Sequence, residues 1–289
     1  MSNLKKRPWP ALAAALLALT MVAGACGGGG GGDGGTDTGT GTATAPAGTE
    51  LPEFTTLKDG ILTVGSDIPY PPFEYREGGE LVGFDIDLIN EIAGRLGLET
   101  DVIDTSFDTI FSQLAGGRFD VVIAASTITP EREEEVNFSD PYYLSQQSLT
   151  VRSDSGIQSV DDLQPGMVVA VQNGTTGKKY AEENLPEGVE IRAFPEGPDG
   201  YTALEAGDVD AVINDEPTAI AEIAEREGLK IVQTIDTGEA YGIAVDPANE
   251  ALLEAINIVL AEIINDGTYE EIYARYPDLP PGGNVAAAG

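Results

Sequence analysis

The sequence predicts an α/β fold of two lobes, and three features of its hydrophobic pattern carry that prediction. Short apolar strands alternate with amphipathic helices from near Leu57 to the stretch around Thr129. A second alternation runs from Val168 to Gly228. Extended runs at Ser148–Val151 and Tyr241–Val245 follow each of them. Such alternation gives a parallel sheet with helices on its faces and functional loops at the carboxyl ends of its strands. Two units of this kind joined by two extended segments make a two-lobed molecule that the chain crosses twice, each lobe a mixed sheet flanked by helices.

In chain order, Ile61-Leu62-Thr63-Val64-Gly65 reads as a buried strand that ends at Ser66-Asp67, and a proline-aromatic loop follows. Phe84 to Leu96 carries Ile86, Ile89, Ile92, Ala93 and Leu96 at helical spacing before Gly97. Glu99–Ile103 is the next strand, Phe107–Leu114 the next helix, and Asp120–Ala124 a further strand. In the second unit Val168–Val171, Val189–Phe194 and Ala211–Ile213 are strands. Thr176–Asn184, Gly200–Ala206 and Glu216–Glu227 are the helices between and after them. Pro247–Asn265 is a long amphipathic helix with Leu252, Leu253, Ile256, Val259, Leu260 and Ile263 on one face.

The ends differ from this core. Lys5, Lys6 and Arg7 precede the apolar run Ala11–Ala23, which has the length of a secretory h-region and is too short for a comfortable membrane span. It closes on Ala23-Gly24-Ala25-Cys26, small residues before the only cysteine, which resembles a bacterial lipobox. Residues 1–25 are therefore expected as a signal peptide and Cys26 as a lipidated first residue, with a flexible Gly/Thr linker over 26–53. A GxGxxG match among the linker glycines has neither a strand before it nor a helix after it and carries no meaning. The tail 278–289 is Pro, Gly and Ala and is expected to be disordered.

Composition excludes several activities. The formal charge is −34, and more negative still once Lys5, Lys6 and Arg7 leave with the leader. That argues against a broad basic face for nucleic acid or an anionic membrane. With no histidine in the chain, Ser-His-Asp and Cys-His catalysis and histidine-ligated zinc are impossible, and one cysteine excludes an intramolecular disulfide. No cofactor or metal is expected.

Chemistry concentrates at Ala124–Arg132, where an apolar run ends in hydroxyls and a cation at a helix start. Thr129 is a good N-cap, Pro130 suits the first helical position, and Glu131 with Glu133 suits the positive end of the helix dipole. Free amides, threonine hydroxyls and the Arg132 fork would then face one small volume that suits a carboxylate or a phosphate. The plainer alternative is that Thr129 only caps a helix while Arg132 pairs with Glu135 on its surface.

Five stretches identify a family. They are Val64-Gly65-Ser66-Asp67-Ile68-Pro69-Tyr70-Pro71-Pro72-Phe73-Glu74-Tyr75, Gly83-Phe84-Asp85-Ile86-Asp87-Leu88, Ile128-Thr129-Pro130-Glu131-Arg132, Phe138-Ser139-Asp140-Pro141-Tyr142-Tyr143 and Val171-Gln172-Asn173-Gly174-Thr175-Thr176-Gly177. In order and at family spacing, they resemble the family 3 extracellular solute-binding proteins, the polar amino-acid receptors of ABC importers. The resemblance implies a type II periplasmic-binding-protein-like fold, with 54–149 and 241–277 as one lobe and 150–240 as the other. Val151 and Gly238–Gly242 would be the hinge strands.

It also implies site roles. Arg132 resembles the arginine that takes a ligand α-carboxylate, helped by Thr127 and the amides around Ala125 and Thr127. Thr176, with the amides of Gly174-Thr175-Thr176, resembles the other lobe's contact to the same carboxylate. Asp215 matches the aspartate for the α-ammonium, although a cap for the helix at Glu216 is the plainer reading. Tyr70 and Phe107 resemble aromatic walls; Asp67 and Gln172 sit where the ligand side chain is read. Alanines at 124 and 125, where receptors for cationic amino acids often carry serines, favour a glutamine-like ligand over a cationic one. The expected partners are ABC permease subunits and, through the lipid anchor alone, the extracytoplasmic face of the cell membrane, with the protein a monomer. Two rivals share the architecture: a cyclohexadienyl/arogenate dehydratase, which would need Asp67, Glu74 or Asp215 as its acid, and an accessory amino-acid sensor.

Overall fold

The computed structural model describes residues 50–288. The expectations for residues 1–49, including signal cleavage and lipidation at Cys26, lie outside the described residues. Two five-stranded mixed sheets organise the rest, each with helices packed on it.

The first lobe opens with β1 (Ile61–Ser66), a hairpin of β2 (Tyr75–Glu77) and β3 (Glu80–Val82), and helix α1 (Phe84–Arg95). Then come β4 (Glu99–Asp104), α2 (Ile110–Ala115), β5 (Val121–Val122), the short α3 (Pro130–Glu133) and β6 (Asn137–Phe138). The apolar face read from α1 is the one that buries: Phe84, Leu88, Ile89 and Ile92 are fully covered. The second lobe holds β7 (Tyr143–Arg152), β8 (Val168–Gln172), α4 (Thr176–Asn184), β9 (Glu190–Phe194), α5 (Gly197–Ala206), β10 (Ala211–Asp215), α6 (Glu216–Ala224) and β11 (Leu229–Tyr241). The chain then returns to the first lobe as β12 (Ala244–Val245), α7 (Glu250–Asn265) and α8 (Thr268–Tyr273).

Sheet order in the first lobe is β4-β1-β5-β12-β6, with β1 parallel to β4 and β5 and the returning β12 antiparallel to β5 and β6. In the second it is β11-β7-β10-β8-β9, with β8, β9 and β10 parallel and β7 antiparallel to both its neighbours. The parallel strands of both lobes end toward the same cleft, where Asp67 follows β1 and Gln172 and Asp215 are the last residues of β8 and β10.

Four expectations need correction. Val151 is no hinge, because it pairs with Ala211 on one side and Lys230 on the other inside the second sheet. The chain changes lobe earlier, between Phe138 and Tyr143, so residues 143–149 belong with the second lobe; the return crossing lies at Tyr241–Ala244, beside the expected Gly238–Gly242. The strand read over Asp120–Ala124 keeps only two residues, because Ala125 adopts a left-handed conformation at φ 44° and turns the chain away. The linker boundary also moves: Leu51 already packs against the first lobe's core. Finally, the tail is not disordered as far as Ala288. Leu279 is buried, the Tyr273 hydroxyl donates to the Pro280 carbonyl, and Gly283 lies directly on the Tyr143 ring.

Both crossings rest on aromatic packing. Phe73 meets Tyr143 and Tyr241 edge-on at 5.1 and 5.4 Å between centroids, and those two tyrosines stack on each other at 5.4 Å. The loop carrying Phe73 is held by Gly83, whose φ of 136° is open to glycine. A Cβ there would stand 1.9 Å from the Phe73 carbonyl oxygen. Gly83→Ala should therefore lower unfolding stability by about 2 kcal/mol or more, read as a reduced urea midpoint with an unchanged slope.

Candidate ligand-binding cleft

Between the lobes lies a narrow cleft enclosing about 280 Å³ of space, part of it open to solvent. From the first lobe it is lined by Asp67, Tyr70, Phe107, Ala125, Thr127 and Arg132, and from the second by Gln172, Thr175, Thr176 and Asp215. Residues picked from separate stretches of sequence thus converge on one volume.

Arg132 reaches it from α3. Thr129 caps that helix as expected, accepting from the Arg132 amide at 3.3 Å. The guanidinium does not lie along the surface toward Glu135. It sits 5.0 Å from the Phe107 ring centroid and 4.9 Å from that of Phe111, and donates to the Thr127 carbonyl at 2.6 Å and to the Gly174 carbonyl of the other lobe at 3.2 Å. Loss of water pushes its pKa down to about 10, so it remains a cation at neutral pH. Arginine keeps further N–H donors beyond those two bonds.

Opposite it, Asp215 ends β10 and does not cap α6. Its carboxylate accepts from the Gln147 amide and from the Tyr241 hydroxyl. Burial raises its pKa to about 7, with the Glu239 charge adding to the rise and those hydrogen bonds opposing it. Asp67 is buried too, accepting from the Phe107 amide at 3.1 Å and from Gln172 Nε2 across the cleft at 2.6 Å. Burial lifts it to about 6. Tyr70 closes one wall, its hydroxyl donating to Asn214 Oδ1 of the other lobe at 2.8 Å.

One backbone expectation changes. The Ala125 amide donates to Asp85 Oδ2 at 2.8 Å, inside the lobe, and is not offered to the cleft. The Thr175 hydroxyl is spent on its own turn, donating to the Gln172 carbonyl at 2.8 Å and accepting from the Lys178 amide at 3.2 Å. What α4 offers is the pair of first-turn amides of Thr176 and Gly177, which have no partner within the helix.

The lobes meet in a closed arrangement. Besides Arg132–Gly174, Tyr70–Asn214 and Asp67–Gln172, a surface ion pair joins Lys179 of α4 to Glu131 of α3. Sequence reasoning missed Gln147, Asn214 and Glu239, which take part in these networks. Gln147 and Glu239 sit in strands too polar for their periodicity to register, whereas Asn214 stood in plain view beside Asp215.

A two-lobed α/β molecule whose closed cleft joins a cation on one lobe to a carboxylate on the other is, by fold and site, a small-molecule binding protein. Residues 62–278 match the model of the bacterial extracellular solute-binding proteins, family 3, and the chain belongs to that family. The ABC transporter glutamine-binding protein GlnH of Bacillus subtilis is 35% identical over 201 residues, 68% of this chain and 73% of that protein. An ancestral arginine-binding protein solved bound to glutamine is 40% identical, covers 76% of this chain and 98% of its own, and superposes with a TM-score of 0.73. An ancestral amino acid-binding protein described as a precursor of cyclohexadienyl dehydratase is 36% identical, with coverage of 75% and 95% and a TM-score of 0.70.

The buried acids set a pH dependence for the ligand-free protein. Asp85, which holds the Ala125 amide and the Tyr142 hydroxyl, is raised to about 7 by burial. An acid whose folded pKa lies above its unfolded value contributes stability that is full below the unfolded value and lost as pH rises through the folded one. Asp67, Asp85 and Asp215 all shift in that direction, so stability should fall between about pH 4 and 7. Asp85→Asn, which keeps an acceptor for both donors, should flatten part of that decline in urea titrations run across the range.

Proposed function

We propose that this protein is the receptor of an ABC importer, closing its lobes on one polar amino acid and presenting it to membrane permease subunits. The observation that carries the proposal is the opposition of Arg132 and Asp215 across the cleft. A zwitterion neutralises both at once, and a phosphate neutralises only one.

In this reading Arg132 and the first-turn amides at Thr176 take the α-carboxylate, with Thr127 and Thr175 shaping the turns that present them. Asp215 takes the ammonium. Tyr70 and Phe107 flank the side chain, and Asp67 with Gln172 meets its far end. An aspartate there suits a side chain rich in N–H, and the alanines at 124 and 125 favour a glutamine-like amide over a cation. The glutamine-binding relative supports that choice. No bond is made or broken: prephenate and arogenate incubated with the protein should be recovered unchanged, and formation of phenylpyruvate or phenylalanine would establish the enzyme reading instead. Lipidation at Cys26 would hold the receptor at the extracytoplasmic face, and Cys26→Ser should release it into the medium.

A thermal-shift screen of the twenty amino acids tests the class. A ligand at one hundred times its Kd stabilises by about 2.7 kcal/mol, a rise in Tm of roughly 5–10 °C for a domain of this size. Arg132→Ala should weaken the ligand found by roughly 100-fold or more while leaving the circular dichroism spectrum unchanged. Because an ammonium pairs with ionised Asp215, binding below about pH 7 should release a proton and tighten as pH rises. Calorimetry in buffers of different ionisation enthalpy reads that proton directly; uptake rather than release would remove Asp215 from the ammonium site.

A further inference from the structure

Glu239 lies on the second crossing strand, where β11 slips register between Ile235 and Glu239 and Gly238 adopts φ 62°. That irregularity turns a carboxylate into the interior, where it is 8% exposed. One of its oxygens, Oε2, accepts from the Thr127 hydroxyl of the first lobe at 2.7 Å and from the Thr176 hydroxyl of the second at 3.0 Å. Gln147 Nε2 approaches the other oxygen at 3.1 Å.

We propose that Glu239 is a positioning residue: it takes the hydroxyl hydrogens of Thr127 and Thr176 and so turns both side chains into acceptors facing the cleft, while tying the two lobes together. The argument is a count of hydrogens. A threonine hydroxyl has one hydrogen and two lone pairs, and an ionised carboxylate can only accept. Once both hydrogens point at Glu239, neither hydroxyl can donate to a ligand carboxylate. Their lone pairs remain, on two residues that line the same cavity as Asp215, with Gln147 Nε2 3.4 Å from the Thr176 oxygen. They add acceptors for an ammonium and leave the carboxylate to Arg132 and backbone amides. The hydroxyl role that the resemblance suggested for Thr127 is thereby reversed. Thr176 shares the second lobe with Glu239, whereas Thr127 belongs to the first, so the bond from Thr127 is the one that joins the lobes.

This inference rests on the amino-acid reading for its ligand, and the test separates the two. Four full-length proteins are compared: wild type, Glu239→Met, the double variant Thr127→Val with Thr176→Val, and the triple variant. Calorimetry uses L-glutamine and L-arginine as probes. Glu239→Met should weaken the bound probe roughly tenfold or more. In the valine background the same change should alter Kd by less than about twofold, because the hydroxyls it orients are gone. An equal loss in both backgrounds would mean that Glu239 acts through its charge alone and would overturn the proposal. Unfolding midpoints of the four proteins without ligand test the hydroxyl pairing independently: non-additive shifts support it and additive shifts refute it. If wild type binds neither probe nor any other amino acid, the amino-acid reading falls, and the unfolding cycle still decides the role of Glu239.

Discussion

A guanidinium partly withdrawn from water has to be given other partners, and the closed form of this protein is arranged around that requirement. Arg132 lies over the edge-to-face pair of Phe107 and Phe111 with its N–H groups directed at carbonyls from both lobes. Carbonyls satisfy hydrogen bonds without cancelling charge, so the cation stays electrostatically open toward the cavity. The capping threonine, the proline at the first helical position and the left-handed turn at Ala125 all serve to bring one side chain to that point.

Charge is unevenly shared around this cation. Asp67, Asp215 and Glu239 are all buried nearby, and the first two are raised toward neutrality because burial disfavours their charged forms. In this cleft with more acids than bases, Gln172 bonds Asp67 and Thr127 bonds Glu239 across the lobes, while Gln147, Tyr241 and Thr176 hold the acids of the second lobe in place. A cationic group entering it relieves the excess, which couples occupancy of the cleft to the protonation of its walls.

Much of this was readable in advance, for physical reasons. Buried parallel strands leave apolar runs, and caps leave their own letters, so Thr176–Asn184 was read with the bounds that the structure has. Arg132 and Asp215 were visible because a charge at the mouth of an apolar strand demands a partner. The long β7 and β11 were only partly seen, since both line the crossings and mix polar with apolar positions on each face. Glu239 left no trace in sequence: its meaning comes from Thr127, far away along the chain, and from a local slip of register. The Ala125 amide was misassigned for the same reason, because only the fold brings Asp85 beneath it.

The segment after α8 has one more consequence. Leu279 anchors it in the core of the first lobe, while Gly283 presses on Tyr143 at the foot of the first crossing strand. A force applied beyond Gly283 is therefore delivered to the hinge and not dissipated in a loose end. A reporter or surface attachment fused there would load the very element whose bending is to be observed. Labels intended to follow closure belong on the outer faces of α4 and α3, beside the Lys179–Glu131 ion pair that joins the lobes.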